Sequence, residues 1–179
     1  MHLFDTPAGF EDPLEMLLGC HRRIEKQLAT LGKLPVYLAA NGVDPEASSA
    51  AQAVLRYFAK AAPHHHEDEE KDFFPLLERR ITDPAQLQRF RELRARLEAD
   101  HEEMLGRWPR LRKSLEGIAE GLPSPLAADE VEAFRAIYAR HIPLEEAAFP
   151  ELFARWVREA DRHALGRAMA ARRGVAYPD

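Results

Sequence analysis

Two segments of this sequence share the pattern His-x3-Glu-x3-Phe-Pro, and this repeat limits the folds that the chain can adopt. The first segment runs from His66 to Pro75 and the second from His141 to Pro150. A step of four residues in an α-helix advances by about 400°, so the His, Glu and Phe of each segment lie on one face. Each segment therefore predicts a helix on which the His and Glu, both possible metal ligands, lie on the same core-facing stripe as the apolar Phe.

The rest of the sequence also predicts helices. No alternating apolar and polar run indicates a strand, and Gly and Pro residues divide the chain into long helical segments. Interruptions are expected at Pro63 and Pro109. The predicted segments are about 12–32, 46–80, 83–120, 128–159 and 161–173.

The lengths of these segments and of the whole chain predict one all-α domain. Because short connections join the four long segments, we expect an up-down-up-down four-helix bundle over about residues 12–158, with a short C-terminal fifth helix. The 179 residues suit a single domain over residues 1–179. Hydrophobic residues make up 46% of the chain, which is enough to form a packed interior.

Charge and targeting features argue against several classes of partner. The 25 basic and 30 acidic residues are interspersed, without a basic run that would follow a phosphate backbone, so no nucleic-acid partner is expected. No uncharged stretch is long enough to cross a bilayer, and the N-terminus lacks a signal-like pattern. Cys20, the single cysteine, is interpreted as a small buried side chain and not a ligand. We therefore expect a cytoplasmic protein without a membrane partner.

Two more histidines lie on the apolar stripes of the other long helices. His21 belongs to the first predicted helix and His101 to the third, so each precedes one of the two motifs by one helix. Four imidazoles and two carboxylates exceed the needs of one tetrahedral zinc ion but suit two carboxylate-bridged ions, with iron the best candidate and manganese the second. The six candidate ligands are His21, His66, Glu70, His101, His141 and Glu145.

The register of the second predicted helix depends on its Phe-Pro pair. His64, His65 and His66 are consecutive, and adjacent helical residues point about 100° apart, so only one register faces the core. Alignment of Phe74 with Phe149 selects His66. His64 is then expected to face solvent, while His65 is either a surface residue or a hydrogen-bonding neighbour of a ligand. The acidic run 67–69 is also expected to face solvent.

These residues resemble the hemerythrin HHE cation-binding family over about residues 12–158. The stretches that carry the resemblance are His21, 65–75, His101 and 141–150. The resemblance implies that Glu70 and Glu145 bridge two iron ions together with an oxo or hydroxo group and that the four histidines are terminal ligands. Our own expectation is that His21 pairs with His66. Oxygen-carrying members have one more histidine on the third helix at a four-residue spacing, where this chain has Leu97 and Leu105 on either side of His101. The missing ligand implies open coordination positions or a bound water.

The resemblance and the ligand set imply a non-haem diiron protein. We expect it to bind dioxygen, nitric oxide or peroxide for sensing, storage or protection, with manganese or zinc as possible substitutes for iron. The sequence carries no additional base, nucleophile or nucleotide loop, so no catalytic residue is assigned and binding is favoured over turnover. The alternatives are a diiron oxidase or peroxidase, and a metal-stabilised regulatory bundle whose C-terminal tail contacts a protein partner that the sequence does not identify.

Overall fold

The computed structural model describes residues 9–178, and within that range every regular element is a helix. The elements are α1 Pro13–Asn41, α2 Pro45–Glu67, a π-helix Asp68–Phe73, α3 Phe74–Arg80, α4 Pro84–Ala119, α5 Ala128–Trp156 and α6 Glu159–Arg172. The predicted all-α class is confirmed. The segment inspected for a targeting signal, residues 1–8, lies outside the described range. Over residues 9–178, no helix combines the length and the apolar character that a bilayer crossing requires.

Three of the four longest helices begin with an Asp-Pro pair. The carboxylates of Asp12, Asp44 and Asp83 accept hydrogen bonds from the backbone N–H three residues later, at 3.1, 2.8 and 2.8 Å. Proline follows each of these caps at the first helical position, where its missing N–H costs no helical hydrogen bond. The chain therefore encodes these helix starts locally.

Prolines inside the helices do not end them. The first helix was expected to end near Gly32, but α1 continues through Pro35 to Asn41. Likewise α2 passes through Pro63 and α4 through Pro109, so the interruption predicted at the first and the split considered at the second are absent. An internal proline costs a helix about 3 kcal/mol. Side chains beyond each proline still pack in the core, and this packing offsets that loss.

The four long helices pack into a bundle with two apolar clusters. Both α1 and α4 pack against α2 and α5. One cluster contains Phe58 and Phe134, and the other contains Phe73, Phe74 and Phe149. The candidate metal ligands lie between these clusters along each helix, so the bundle encloses them from both ends.

The predicted fifth helix is present as α6, which packs against α1 and the π-helix. Its first turn is held by Asp161, whose carboxylate accepts two hydrogen bonds from Arg80 of α3, at 2.7 and 3.0 Å. These bonds hold the pKa of Asp161 below its ordinary value. Gly174 follows the helix with a φ of 68°, a conformation that favours glycine, as its predicted position after a helix end requires.

Candidate metal centre

Six buried side chains from the four-helix core meet between the two apolar clusters. Each is at most 4% exposed. They form two groups in which the potential ligand atoms all lie within 4.8 Å of one another. The α1–α2 group consists of His21, His65, Glu69 and Glu145. The α4–α5 group consists of Glu69, His101, His141 and Glu145.

Both carboxylates belong to both groups, with one oxygen facing each. Glu145 Oε2 lies 2.9 Å from His21 Nε2, and its Oε1 lies 2.9 Å from His141 Nε2. Glu69 Oε1 lies 3.2 Å from His65 Nε2, and its Oε2 lies 3.4 Å from His101 Nε2. Two cations placed in the two groups would therefore share both carboxylates.

The donor atoms of these groups fit a pair of metal ions. Both oxygens of Glu69, both oxygens of Glu145 and Nε2 of His21 are buried without a hydrogen-bond partner among the described residues. An unsatisfied buried polar group costs about 1–3 kcal/mol, and more when it is charged. Imidazole nitrogens and carboxylate oxygens are ligands of iron, manganese and zinc, so metal binding would satisfy these atoms.

Outer carboxylates contact the far side of three of the histidine rings. His101 Nδ1 lies 2.7 Å from Glu70 Oε1, and His21 Nδ1 lies 3.3 Å from Glu146 Oε1. His141 Nδ1 lies 3.5 Å from an oxygen of Asp100, without hydrogen-bond geometry. A carboxylate that accepts a hydrogen bond from Nδ1–H orients the ring and leaves Nε2 free to bind a metal.

Burial controls the titration of the inner groups. Burial and the neighbouring Glu145 charge raise the pKa of Glu69 well above its ordinary value. Burial also opposes ionisation of Glu145, but its contacts with His141 and His21 outweigh burial and hold its pKa well below the ordinary value. Burial and the nearby His21 lower the pKa of His65, which keeps its imidazole neutral. In the metal-free site, burial thus favours the neutral forms of His65 and Glu69, whereas the histidine contacts of Glu145 favour its ionised form.

Four of the six predicted ligands lie in these groups, namely His21, His101, His141 and Glu145. The other two predicted ligands, His66 and Glu70, each lie one residue away from the inner positions. His66 lies beside the groups, with its ring stacked on His101 at a centroid distance of 4.0 Å. Glu70 is 40% exposed and contacts His101 from outside. His65 and Glu69 occupy the inner positions instead.

The π-helix explains this shift of register. In α5, His141, Glu145 and Phe149 follow one another at four-residue intervals and are all buried. A π-helical turn closes its hydrogen bond over five residues and so holds one more residue than an α-helical turn. Glu69 and Phe74 are therefore both buried although they are five positions apart in the sequence. The equal four-residue spacing of His65 and Glu69 was the signal in the sequence that could have identified them.

Arg172 of α6 and Arg173, which follows it, hold the π-helix in place. Asp68 is 1% exposed and accepts hydrogen bonds from Arg172 and from Arg173, the latter at 2.6 Å. Arg172 also donates to Asp72 at 2.5 Å. The expectation that residues 67–69 face solvent is thus wrong for Asp68 and Glu69. The basic end of α6 is paired with its own chain and supports the segment that carries Glu69.

Comparison with known proteins agrees with a cation-binding role for the α1–α2 and α4–α5 groups. A family model described as the hemerythrin HHE cation binding domain matches residues 12–163. A Haemophilus influenzae protein described only as uncharacterized is 34% identical over 169 residues, which cover 94% of each chain. The matched region contains both groups of candidate ligands.

Proposed function

Since the chain belongs to the hemerythrin HHE cation-binding family, we propose that its two groups hold two iron ions and that this centre binds dioxygen, nitric oxide or peroxide. The observation that carries the proposal is the position of Glu69 and Glu145, each with one oxygen toward either group. On this proposal both carboxylates bridge the ions. Iron at such a site supplies a redox-active ion with positions for a small ligand.

The number of protein donors supports binding of an exogenous ligand. Each group offers four residues, two histidines and two carboxylates. Four donors do not complete an octahedral coordination shell, so positions are left for water or a small ligand. Phe73, Phe149 and Tyr138 of the neighbouring apolar clusters are buried, and they limit the access of bulk water to the centre. Sensing, storage and protection all require such a protected, incompletely coordinated centre.

A diiron oxidase or peroxidase is the second candidate, and one observation favours it. A cleft of about 260 Å³ reaches His101 of the α4–α5 group, and this volume exceeds the need of a diatomic molecule. Turnover would require an external reductant. Repeated consumption of oxygen or peroxide by the iron-loaded protein with an added reductant would distinguish this enzyme from a binding protein.

The proposal is tested by metal analysis and optical spectroscopy of protein produced with sufficient iron. We expect about two iron ions per chain, because each group supplies four donors. The anaerobically reduced protein should acquire a new absorption band when dioxygen or nitric oxide is added. His141→Ala should lose iron and this response, while His64→Ala should retain both, because His64 lies in neither group. One zinc ion per chain, or iron without a spectral response to either gas, would contradict the proposal.

A further inference from the structure

The cleft beside the candidate metal centre is lined mainly by residues that belong to neither ligand group. Its walls carry four aromatic side chains, and its other lining residues include His66 and His101. His101 is buried, whereas Glu102 and Leu105 are exposed, so the cleft runs from the surface toward the α4–α5 group. The four aromatic residues are Phe58, Trp108, Phe134 and Tyr138.

The size and walls of the cleft suit an aromatic ring. Its volume is about 260 Å³. An apolar protein cavity of roughly 150 Å³ is large enough to bind benzene. Aromatic side chains favour a planar ring through edge-to-face or offset contacts. The cleft therefore accommodates a single-ring organic molecule with a short substituent.

His66 lines the cleft beside the aromatic side chains and carries an unpaired polar atom. Its Nε2 is buried and has no hydrogen-bond partner among residues 9–178. Its ring stacks on His101 with an angle of 15° between the planes, so it is held beside the candidate metal ligand. A neutral imidazole nitrogen can accept a hydrogen bond from a ligand hydroxyl group.

The charges along the cleft select against anions. Three glutamates line it, Glu67, Glu70 and Glu102, and no Lys or Arg does so among the described residues. Glu67 is paired with Lys71, and Glu70 contacts His101. Glu102 forms no ion pair with any described residue, and its exposed position places an uncompensated negative charge at the mouth.

We propose that this cleft binds a phenolic amine, with its ring against the aromatic side chains of the wall, its hydroxyl group on His66 Nε2 and its ammonium group near Glu102. The inference rests on the proposed function, because it places an organic ligand next to His101 of the metal centre. It assigns a role to His66 that is separate from metal ligation. It also names the class of organic molecule that the oxidase or peroxidase alternative would use.

The test is isothermal titration of the metal-loaded protein with three related probes. Tyramine carries both the hydroxyl and the ammonium group, phenethylamine lacks the hydroxyl group, and 4-hydroxyphenylacetate replaces the ammonium group with a carboxylate. We expect tyramine to bind, and each of the other two to bind about tenfold more weakly, because each loses one polar interaction. This comparison needs no substitution in the protein.

Variants then assign the two ends of the cleft. His66→Leu should weaken tyramine binding about tenfold, while His66→Gln, which keeps a hydrogen-bond acceptor, should weaken it less. Glu102→Lys should reduce the ratio of the affinity for tyramine to the affinity for 4-hydroxyphenylacetate. Glu92→Lys is the matched control, because Glu92 is exposed on the same helix but does not line the cleft, and it should leave the preference unchanged.

The outcomes separate this inference from the metal proposal. Wild-type protein that contains its metal but does not bind tyramine would overturn the cleft assignment and leave the metal proposal intact. Equal affinity for all three probes, or unchanged tyramine affinity in His66→Leu, would overturn it as well. Metal content and circular dichroism of each variant show whether it has folded. If His66→Leu does not fold, the comparison of tyramine with phenethylamine still decides the role of the hydroxyl group.

Discussion

Glu69 and Glu70 are neighbours in the sequence but have different surroundings and therefore different roles. Glu69 is fully buried between the α1–α2 and α4–α5 groups, whereas Glu70 is partly exposed and contacts the outer nitrogen of His101. On α5, Glu145 and Glu146 divide in the same way, with Glu146 on the outer nitrogen of His21. Each pair thus supplies one inner carboxylate and one outer carboxylate that orients a histidine of another helix.

This division predicts the metal content of four alanine variants. Glu69→Ala and Glu145→Ala should each lose most of the bound metal, because each removes a donor from both groups. Glu70→Ala and Glu146→Ala should retain metal when it is supplied in excess, with an affinity lowered roughly 10–100-fold by the loss of an orienting carboxylate. Metal analysis before and after dialysis measures both effects. A larger loss of metal from Glu70→Ala than from Glu69→Ala would show that Glu70 is the ligand, as the alignment of Phe74 with Phe149 predicted.

At the scale of the element, the π-helix Asp68–Phe73 is the feature on which the geometry of the site depends. Deletion of Lys71 from this segment would leave His65-x3-Glu69-x3-Phe-Pro, the pattern that α5 already has. Because Lys71 is exposed and its ion pair with Glu67 lies at the surface, the direct cost should be about 1 kcal/mol or less. We expect the variant to form a continuous α-helix and to keep more than about half of its metal.

Deletion of Ala147 is the matched control for this experiment. Ala147 is also exposed and lies between the Glu and the Phe of the α5 motif. Since α5 has no extra residue to lose, its deletion rotates Phe149 by about 100° relative to Glu145. We expect this variant to lose its metal and to melt at a much lower temperature, as circular dichroism would show. Equal losses in the two deletion variants would contradict the explanation of the register shift.

The π-helix also marks the limit of what the sequence could predict. Regular α-helical spacing places His141 and Glu145 on one face, and apolar stripes identify His21 and His101, so pattern reasoning could find these positions. In α2 and the π-helix, three consecutive histidines and a run of acidic residues allow two registers with the same spacing. The choice depends on a five-residue hydrogen-bond turn, which is stabilised by contacts with α6 that lie a hundred residues away in the chain.

The prolines inside the helices show a related limit of sequence reasoning. Local propensity predicted an interruption at Pro63 and the end of the first helix before Pro35, yet both helices continue. The loss of one backbone hydrogen bond is a local cost, whereas packing of the following turn in the core depends on the whole bundle. The helix starts were easier to predict, because Asp12 and Asp83 each cap a helix through residues only three positions away.

At the scale of the whole molecule, the polar centre couples the stability of the bundle to metal binding. The inner donors come from the π-helix and four α-helices, namely α1, α2, α4 and α5, so a metal ion in either group joins segments that are distant in sequence. Removal of metal leaves buried carboxylates without partners. A metal that binds only the folded state stabilises that state by about 4 kcal/mol when its free concentration is about a thousand times its Kd. We therefore predict that a chelator lowers the melting temperature by roughly 10 °C or more, because 1 kcal/mol corresponds to about 2–4 °C at this size.

This stabilisation should depend on pH. The pKa of Glu69 is raised in the metal-free folded protein, and a metal ion must displace its proton in order to bind. The difference in melting temperature between metal-loaded and metal-free protein should therefore grow as pH rises toward the pKa of Glu69 and shrink in acid. Thermal melts followed by circular dichroism measure it, and the metal-free protein should stay largely helical at low temperature. Identical melts with and without chelator would mean that the six residues do not bind metal in the folded protein.

The most direct test of a two-metal centre bridged by Glu69 and Glu145 is anomalous X-ray diffraction at the iron absorption edge from crystals of iron-loaded protein. We expect two anomalous peaks within the bundle, one in the α1–α2 group and one in the α4–α5 group, with both carboxylates in contact with both peaks. A single peak, or peaks bounded by His66 and Glu70 in place of His65 and Glu69, would contradict this arrangement of the centre.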